Sequence, residues 1–347
     1  MHKSRWVKLM LGALMIGALV FAAACSGGDG ADGESLTIGF SQRRIAGSDW
    51  WKTLVDGAKY AAEQEGVTLE LLDANGDTVQ QNSDIQTLVT KGVDAIIVNP
   101  NDPLGLKQAI DAAMAEGIPV IAVNCALDES IEKTIYGYVV EDQIATGARG
   151  GYLLAPLVAE RNPDLVGKKA KAIIIGGYPG DVLSDLRAQG YMEGYQKWLD
   201  ENPGKGVELE YLEMKYGEWL PEPALKVMRD VATANPDLVV VMSESCVMNS
   251  GIVQGLKAAG IYDQITMATY DGYMTSVKEM MDFPDGVLQV CTTNEPYRQG
   301  LAAVEMAIRA AKGGEPEGTV YIETVAFDTS TAADFYDAKK ILVDTVQ

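Results

Sequence analysis

The sequence predicts an α/β fold of two doubly wound, Rossmann-like parallel-sheet lobes. Three observations carry this. From Ser35 onward, strand-like and helix-like runs alternate with few interruptions. The strand-like runs are apolar nearly throughout, as expected for parallel strands covered on both faces. About four such runs fall in the first half and five or more in the second, which fits two sandwiches joined by a hinge better than one very wide sheet.

In chain order, "LTIGF" (36–40), "VTLELLD" (67–73), "DAIIVN" (94–99) and "PVIAVN" (119–124) predict the first strands. Between them, "WWKTLVDGAKYAAEQEG", "TVQQNSDIQTLVTKG" and "GLKQAIDAAMAEG" predict helices, each closing on Gly, the residue suited to a left-handed helix stop. The pattern loosens near "TIYGYVVEDQ". It resumes with "KAIIIGG" (171–177), "VELEYLEM" (207–214), "PDLVVVMS" (236–243), "ITMATYDG" (265–272) and "GVLQVCTT" (286–293), separated by helix-like segments at 182–200, 222–235 and 247–260. Repeated strand–helix–strand units imply right-handed crossovers. Ligands of open α/β sheets bind beyond the carboxyl ends of the strands. That rule singles out Ser41 to Asp49, Asn99 to Asp102, Asn124-Cys125, Glu141-Asp142, the 176–187 turn, Glu244 to Cys246, Asp271 and Thr292 to Glu295.

The first residues do not read as fold. Lys3, Arg5 and Lys8 precede an uncharged run from Leu9 to Ala24 that ends in small residues, the pattern of a secretory signal over 1–24. At 16 residues the run is shorter than the ~20 that cross a bilayer. Cys25 then begins a polar tether over 25–35. Small residues before a lone Cys resemble a bacterial lipobox, which makes Cys25 the lipidation site and the membrane anchor, although Ala22 stands where Leu is usual.

Cleavage before Cys25 removes His2, the only histidine. Ser-His-Asp hydrolysis, His acid–base catalysis and His-rich zinc sites are thereby disfavoured. The loss of Lys3, Arg5 and Lys8 leaves 25 basic against 49 acidic residues, a formal charge of about −24, which repels nucleic acid. Cys125, Cys246 and Cys291 are widely spaced and odd in number, so neither a disulfide framework nor a CxxC metal site is indicated. "IIIGGYPGD" is not GxGxxG, and no GxxxxGK[ST] occurs. Periodicity places Trp51, Val55, Ala58 and Ala62, and equally Trp50, Leu54, Ala58 and Ala61, on helical stripes, which makes core packing the default for both tryptophans.

The ordered segments "IGFS" with a paired aromatic and "DGAK", "LVTKGVDAIIVNPND", "AEGIPVIAVN", "EDQIATGARGG", "RAQGYMEGY", "ANPDLVVVMSES" and "TYDG" resemble the type I solute-binding proteins of bacterial sugar ABC transporters, in the ribose/galactose-type branch. The resemblance runs from about Leu36 to Ile341. It implies two lobes joined by three crossovers, an N-terminal lobe of 36–141 plus 294–323 and a C-terminal lobe of 142–293 plus 324–347. It implies capture of a sugar or sugar-like molecule and delivery to a permease, with no cofactor, no metal, no catalysis and a monomeric protein held at the membrane by its lipid. Carried over by position, the ligand-binding residues are Ser48, Trp50, Trp51, Asn124, Cys125, Arg187, Trp219, Ser245, Asp271 and Asn294. Asn124-Cys125 replaces an Asp-Arg pair common in sugar binders, and Ser245-Cys246 replaces an Asn-Asp. The loop "QRRIAG" brings Arg43 and Arg44 toward the cleft mouth and raises a sugar acid or another anionic small molecule as the alternative ligand. Of the paired aromatics, Trp50 is expected to be the direct platform, beside a helix cap formed by Ser48 or Asp49.

Three rival classes share some of these features. Repressors of the lactose-repressor type share the fold but carry an N-terminal helix-turn-helix where this chain has a signal and tether. A sensor that presents ligand to a chemoreceptor or kinase is compatible with the sequence. An enzyme would have to work without histidine.

Overall fold

The structure is a computed structural model that describes residues 35–343. The expected signal segment, the lipid-bearing Cys25 and the tether up to residue 34 lie outside the described residues, as do residues 344–347.

The first sheet is built by β1 (Thr37–Gln42), β2 (Thr68–Asp73), β3 (Ala95–Asn99), β4 (Val120–Val123) and β5 (Gly137–Glu141). These alternate with α1 (Asp49–Glu65), α2 (Thr78–Lys91), α3 (Lys107–Ala115) and the short α4 (Glu129–Glu132). The chain then passes into α5 (Gln143–Arg161), β6 (Lys169–Gly176), α6 (Val182–Glu201), β7 (Glu208–Tyr211), β8 (Lys215–Tyr216), α7 (Pro221–Ala234), β9 (Leu238–Ser243), α8 (Cys246–Ala259), β10 (Thr266–Thr269), α9 (Met274–Asp282) and β11 (Leu288–Thr292). Helix α10 (Pro296–Ala311) and β12 (Gly318–Ile322) return to the first sheet, and β13 (Ala326–Asp328) closes the second.

Strand order is β12-β5-β4-β3-β1-β2 in one sheet and β13-β11-β10-β9-β6-β7 in the other, with β8 beside β6. Among the described residues every pairing between these strands is parallel except β11 with β13, which is antiparallel, and an isolated antiparallel bridge joins Tyr273 to Leu342. The chain therefore crosses between sheets three times: at Glu141 to Gln143, at Thr292 to Pro296, and at Ile322 to Ala326.

Coverage on both faces explains the apolar runs. Along β3, Ala95 and Ile97 pack with α1 and α10, while Ile96 and Val98 pack with α2 and α3. Along β6, Ile173 and Ile175 face α7 and α8, while Ala172 and Ile174 face α5 and α6. Helices α5 and α6 approach to backbone contact. A Cβ on Gly194 would stand 1.9 Å from the Ala148 carbonyl oxygen, and one on Gly151 2.1 Å from that of Tyr191. Glycine is required at this crossing because no side chain fits between the two helices.

Apolar periodicity does not reveal β5, β12 or β13. Strand β5 is embedded in the irregular stretch, β12 is an edge strand with exposed or half-exposed side chains, and β13 has only three residues. The C-terminal segment also behaves unlike a simple second-lobe tail. Val343 donates its N–H to the Gly272 carbonyl (2.6 Å) and Ile341 accepts from Met274 (2.7 Å), yet the Leu342 side chain is buried in the α1–α10 cluster of the first lobe.

A candidate ligand site at the facing strand ends

Both sheets present the carboxyl ends of their strands to the same region. Two pairs bring first-lobe groups against second-lobe groups: Trp50 with Tyr273, and Glu141 with Arg187.

On the first lobe, Asp77 caps α2 by accepting from the Val79 and Gln80 N–H groups (2.7 and 3.2 Å). The cap places Gln81 between two strand ends. Its amide donates to the Ser41 and Asn99 carbonyls (3.3 and 2.8 Å) and its oxygen accepts from the Asn101 N–H (2.8 Å). Gln42 and Asn99, the last residues of β1 and β3, are fully buried. Gln42 Oε1 accepts from the Arg43 N–H (3.0 Å), and Asn99 Oδ1 accepts from Asn124 Nδ2 (3.4 Å). The opposite ends of these amides, Gln42 Nε2 and Asn99 Nδ2, are buried without a partner, as is Asn101 Nδ2. A buried donor left unmade costs about 1–3 kcal/mol, so three together mark a place prepared for something else.

Next to them, Arg43 donates to Cys125 Sγ (2.9 Å), and Asn124 Nδ2 lies 3.2 Å from the same sulfur. Burial raises the Cys125 thiol pKa against the pull of Arg43. The Arg43 and Arg44 guanidiniums sit 5.7 and 5.9 Å from the half-buried Trp51 ring.

The two tryptophans differ in burial, and the one expected as the platform is the more buried. Trp50 is 8% exposed and belongs to the first-lobe core cluster, while Trp51 turns toward the arginines. Ser48 is the α1 cap, accepting from the Trp51 N–H (3.4 Å), and the exposed Asp49 is the first residue of the helix.

On the second lobe, Arg187 is the centre of a buried network. Its Nε donates to Gln143 Oε1 (2.8 Å), and one terminal nitrogen donates to the Glu244 carbonyl (2.7 Å) and Asp271 Oδ1 (3.3 Å). The other terminal nitrogen lies 3.6 Å from Glu141 Oε1. The guanidinium stacks 4.0 Å from the Tyr270 ring and 5.6 Å from Trp219. Trp219 adopts φ 57°, a left-handed conformation that bulky residues rarely take. Its indole lies against the backbone of Gly177, where a Cβ would come within 1.8 Å. Asp271 (φ 85°) and Asn124 (φ 64°) are also left-handed, so backbone strain gathers at the strand ends.

Ser245 caps α8 by accepting from the Val247 N–H (3.3 Å) and donates to Asp271 Oδ2 (2.6 Å). Asn294 donates to Glu141 Oε1 (2.7 Å) and Asp271 Oδ1 (3.3 Å). Gln299, on α10, donates to Glu141 Oε2 (2.8 Å), and Gln143 donates to Glu141 Oε1. Glu141, Gln143 and Asn294 stand on two of the three crossovers, so this network is where the lobes are joined. Arg187 keeps its charge firmly: burial opposes it, but Asp271, Tyr270 and Glu141 outweigh burial and raise its pKa. Burial pushes Glu141 up to about 7 against the pull of Arg187.

Glu244, directly after β9, is pushed up to about 8 by burial. The Ser184 hydroxyl and the Gly177 N–H lie beside it and pull the other way, but neither reaches hydrogen-bond geometry with a carboxyl oxygen.

Of the residues carried over from sequence, Arg187, Trp219, Ser245, Asp271 and Asn294 thus meet in one cluster, and Arg43, Trp51, Asn124 and Cys125 in another. Gln42, Asn99, Glu141, Gln143 and Glu244 join these clusters without having been among the residues carried over. The strand-end rule covered all of them but Gln143, and their importance lies in bonds made or left unmade, which no sequence pattern records. Among the described residues, no group of three or more His, Cys, Asp and Glu is placed to hold a metal ion.

Two α/β lobes crossed three times, with polar strand ends facing one another across the crossovers, define a two-lobed solute-binding protein. The profile of the Periplasmic binding protein domain family matches residues 38–315, and the chain belongs to that family. In fold it is a type I periplasmic binding protein, and membership implies an extracytoplasmic location. Ribose import binding protein of Bacillus subtilis is 24% identical over 287 residues, covering 83% of this chain and 85% of that protein. D-apiose import binding protein of Actinobacillus succinogenes is 27% identical over 286 residues, covering 82% and 85%. Among solved structures, an ABC transporter solute binding protein from Mycobacterium smegmatis with bound glycerol aligns with a TM-score of 0.74 at 27% identity, covering 89% of this chain and all of that one.

Proposed function

We propose that the protein captures a neutral, hydroxyl-rich molecule, a sugar or polyol, between its lobes and delivers it to the permease of an ABC importer. The observation that carries this reading is the set of buried, unpartnered groups at the strand ends: three amide donors on the first lobe and the two oxygens of Glu244 on the second. A hydroxyl both donates and accepts, so a ring of hydroxyls satisfies both sets. The relatives named for ribose and apiose, and the neighbour holding glycerol, support the same chemical class. Contacts made to both lobes at once favour the closed form, which a permease can read. On this reading the lobes comprise 36–141 plus 294–323 and 142–293 plus 324–347. The protein is a monomer tethered through Cys25, and it turns nothing over.

Thermal-shift screening against sugars, polyols, sugar acids and nucleosides tests the assignment. A ligand at 100 times its Kd stabilises the fold by about 2.7 kcal/mol, and no shift from any of these classes would overturn it. The sugar-acid alternative is less favoured, because Arg43 is engaged by Cys125 and Trp51. Tight neutral-sugar binding that survives Arg43→Ala removes it. Trp51→Ala is expected to weaken binding at least about tenfold with little loss of stability, since its ring is half-exposed at the arginines. Trp50→Ala should instead cost about 3–5 kcal/mol in urea denaturation, as a buried aromatic does. Equal stability of the two variants would refute this division.

A further inference from the structure

Two thiols in the second lobe take no part in the site. Cys246, the first residue of α8, and Cys291, in β11, place their sulfurs 3.9 Å apart, both buried in the same hydrophobic cluster. Thr269, on β10, hydrogen-bonds Cys246 Sγ (3.6 Å) and is the register partner of Cys291, so the two elements meet across a single strand. Cys125 lies in the other lobe against Arg43, leaving each of these thiols the other's only partner among the described cysteines.

We propose that Cys246 and Cys291 are joined by a disulfide bond in the exported protein, a covalent brace beneath the Asp271 side of the site. The proposal rests on the extracytoplasmic location of the family, where disulfides persist, and not on the ligand reading.

The pair is unequal, which suits the reaction. Burial opposes ionisation of Cys246, but hydrogen bonds from Cys291, Ser276 and the Tyr273 backbone outweigh it and hold that thiol below its ordinary value. Burial and the neighbouring Cys246 push Cys291 well up. The Cys246 thiolate, at a helix N-terminus, is therefore the attacking group. It attacks a sulfur of an external disulfide oxidant, forming a mixed disulfide and releasing one oxidant thiol. Cys291 loses its proton and attacks Cys246 Sγ, which releases the second oxidant thiol. Two protein thiols and one oxidant disulfide become one protein disulfide and two oxidant thiols. Because both sulfurs are buried in the fold, the bond forms as the chain folds or during local opening.

The position gives the bond a role. Ser245, next to Cys246, and Asn294, three residues past Cys291, both hold Asp271. The bond would close a loop between positions 45 residues apart.

The test uses the full chain exported by a bacterial host and purified without reductant. It is then alkylated with N-ethylmaleimide in guanidinium, digested and read by mass spectrometry. The peptide of Cys246 is expected joined to that of Cys291, two hydrogens lighter than their sum, with Cys125 carrying maleimide. Chain made in a reducing cytosol should acquire the same link in oxidised glutathione. Dithiothreitol should lower the melting temperature of the linked form by about 5–10 °C, and a Cys246→Ala/Cys291→Ala chain should be insensitive to it. Maleimide on both Cys246 and Cys291 after export and after glutathione overturns the proposal, as does a link from Cys125 to either. If the double variant does not fold, the mass readout on the native chain decides alone.

Discussion

Arg187→Met is expected to destabilise the protein by about 3–5 kcal/mol and to abolish ligand binding. The guanidinium is buried, and its removal strands several groups at once: Asp271 Oδ1 at 3.3 Å, Glu141 at 3.6 Å, the Glu244 carbonyl and the Gln143 side chain. Breaking a buried ion pair from one side leaves an uncompensated charge, which costs far more than the pair itself is worth. Methionine fills the path of the Arg187 stem with an apolar chain while removing the guanidinium that stacks on Tyr270, so the loss reads chiefly as electrostatics rather than as a cavity. Adding Asp271→Asn should recover part of the stability by neutralising one stranded carboxylate, while binding stays lost because the site is no longer ordered. Urea denaturation of the four chains of the cycle measures this. A single-variant cost below about 1 kcal/mol, or no coupling between the two positions, would show that Arg187 does not organise the site.

That centrality is only half legible in the sequence. Arg187 and Asp271 stand in segments that mark a family, and the strand-end rule points to Asp271, because a parallel strand covered on both faces must shed its polar residues at its ends. What those residues do was not legible. Arg187 reads as a ligand contact, yet most of its donors are directed to Gln143, Asp271 and the Glu244 carbonyl, which makes it the organiser of the crossovers as much as a ligand group. The tryptophans show the same limit. Trp50 and Trp51 each begin a helical stripe, and only the rotation of α1 against α10 decides that Trp50 enters the core. Gln42 and Glu244 are further from reach. Nothing in "FSQRR" or "MSESC" distinguishes an amide or carboxyl that will find a partner from one that will not, since the outcome depends on neighbours tens or hundreds of residues away.

Glu244 supplies the second large effect. Its folded-state pKa of about 8 lies above the ordinary carboxyl value of 4.5, so the fold favours the protonated form. The sign follows from proton counting. Between those two values the unfolded chain has released the proton and the folded chain retains it, so stability falls as pH rises across that window. At 1.36 kcal/mol per unit, the cost by pH 9 is on the order of 5 kcal/mol. Glu141 contributes with the same sign but saturates near its own value of about 7, which leaves the interval from 7 to 8 to Glu244. Glu244→Gln, a neutral side chain of the same shape, should therefore match the wild type near pH 5, exceed its stability by a few kcal/mol at pH 9, and lose its pH slope by about pH 7. Ligand should act in the opposite direction. Hydroxyls that donate to the two oxygens now without partners stabilise the carboxylate, so binding at pH 7 should release a proton, seen as a dependence of calorimetric heat on buffer ionisation enthalpy, and affinity should rise from pH 6 to pH 8.5. Both effects should vanish in Glu244→Gln. Stability profiles that coincide for the two chains would mean the carboxyl is ionised and satisfied throughout, and would remove Glu244 from the group of residues that face the ligand.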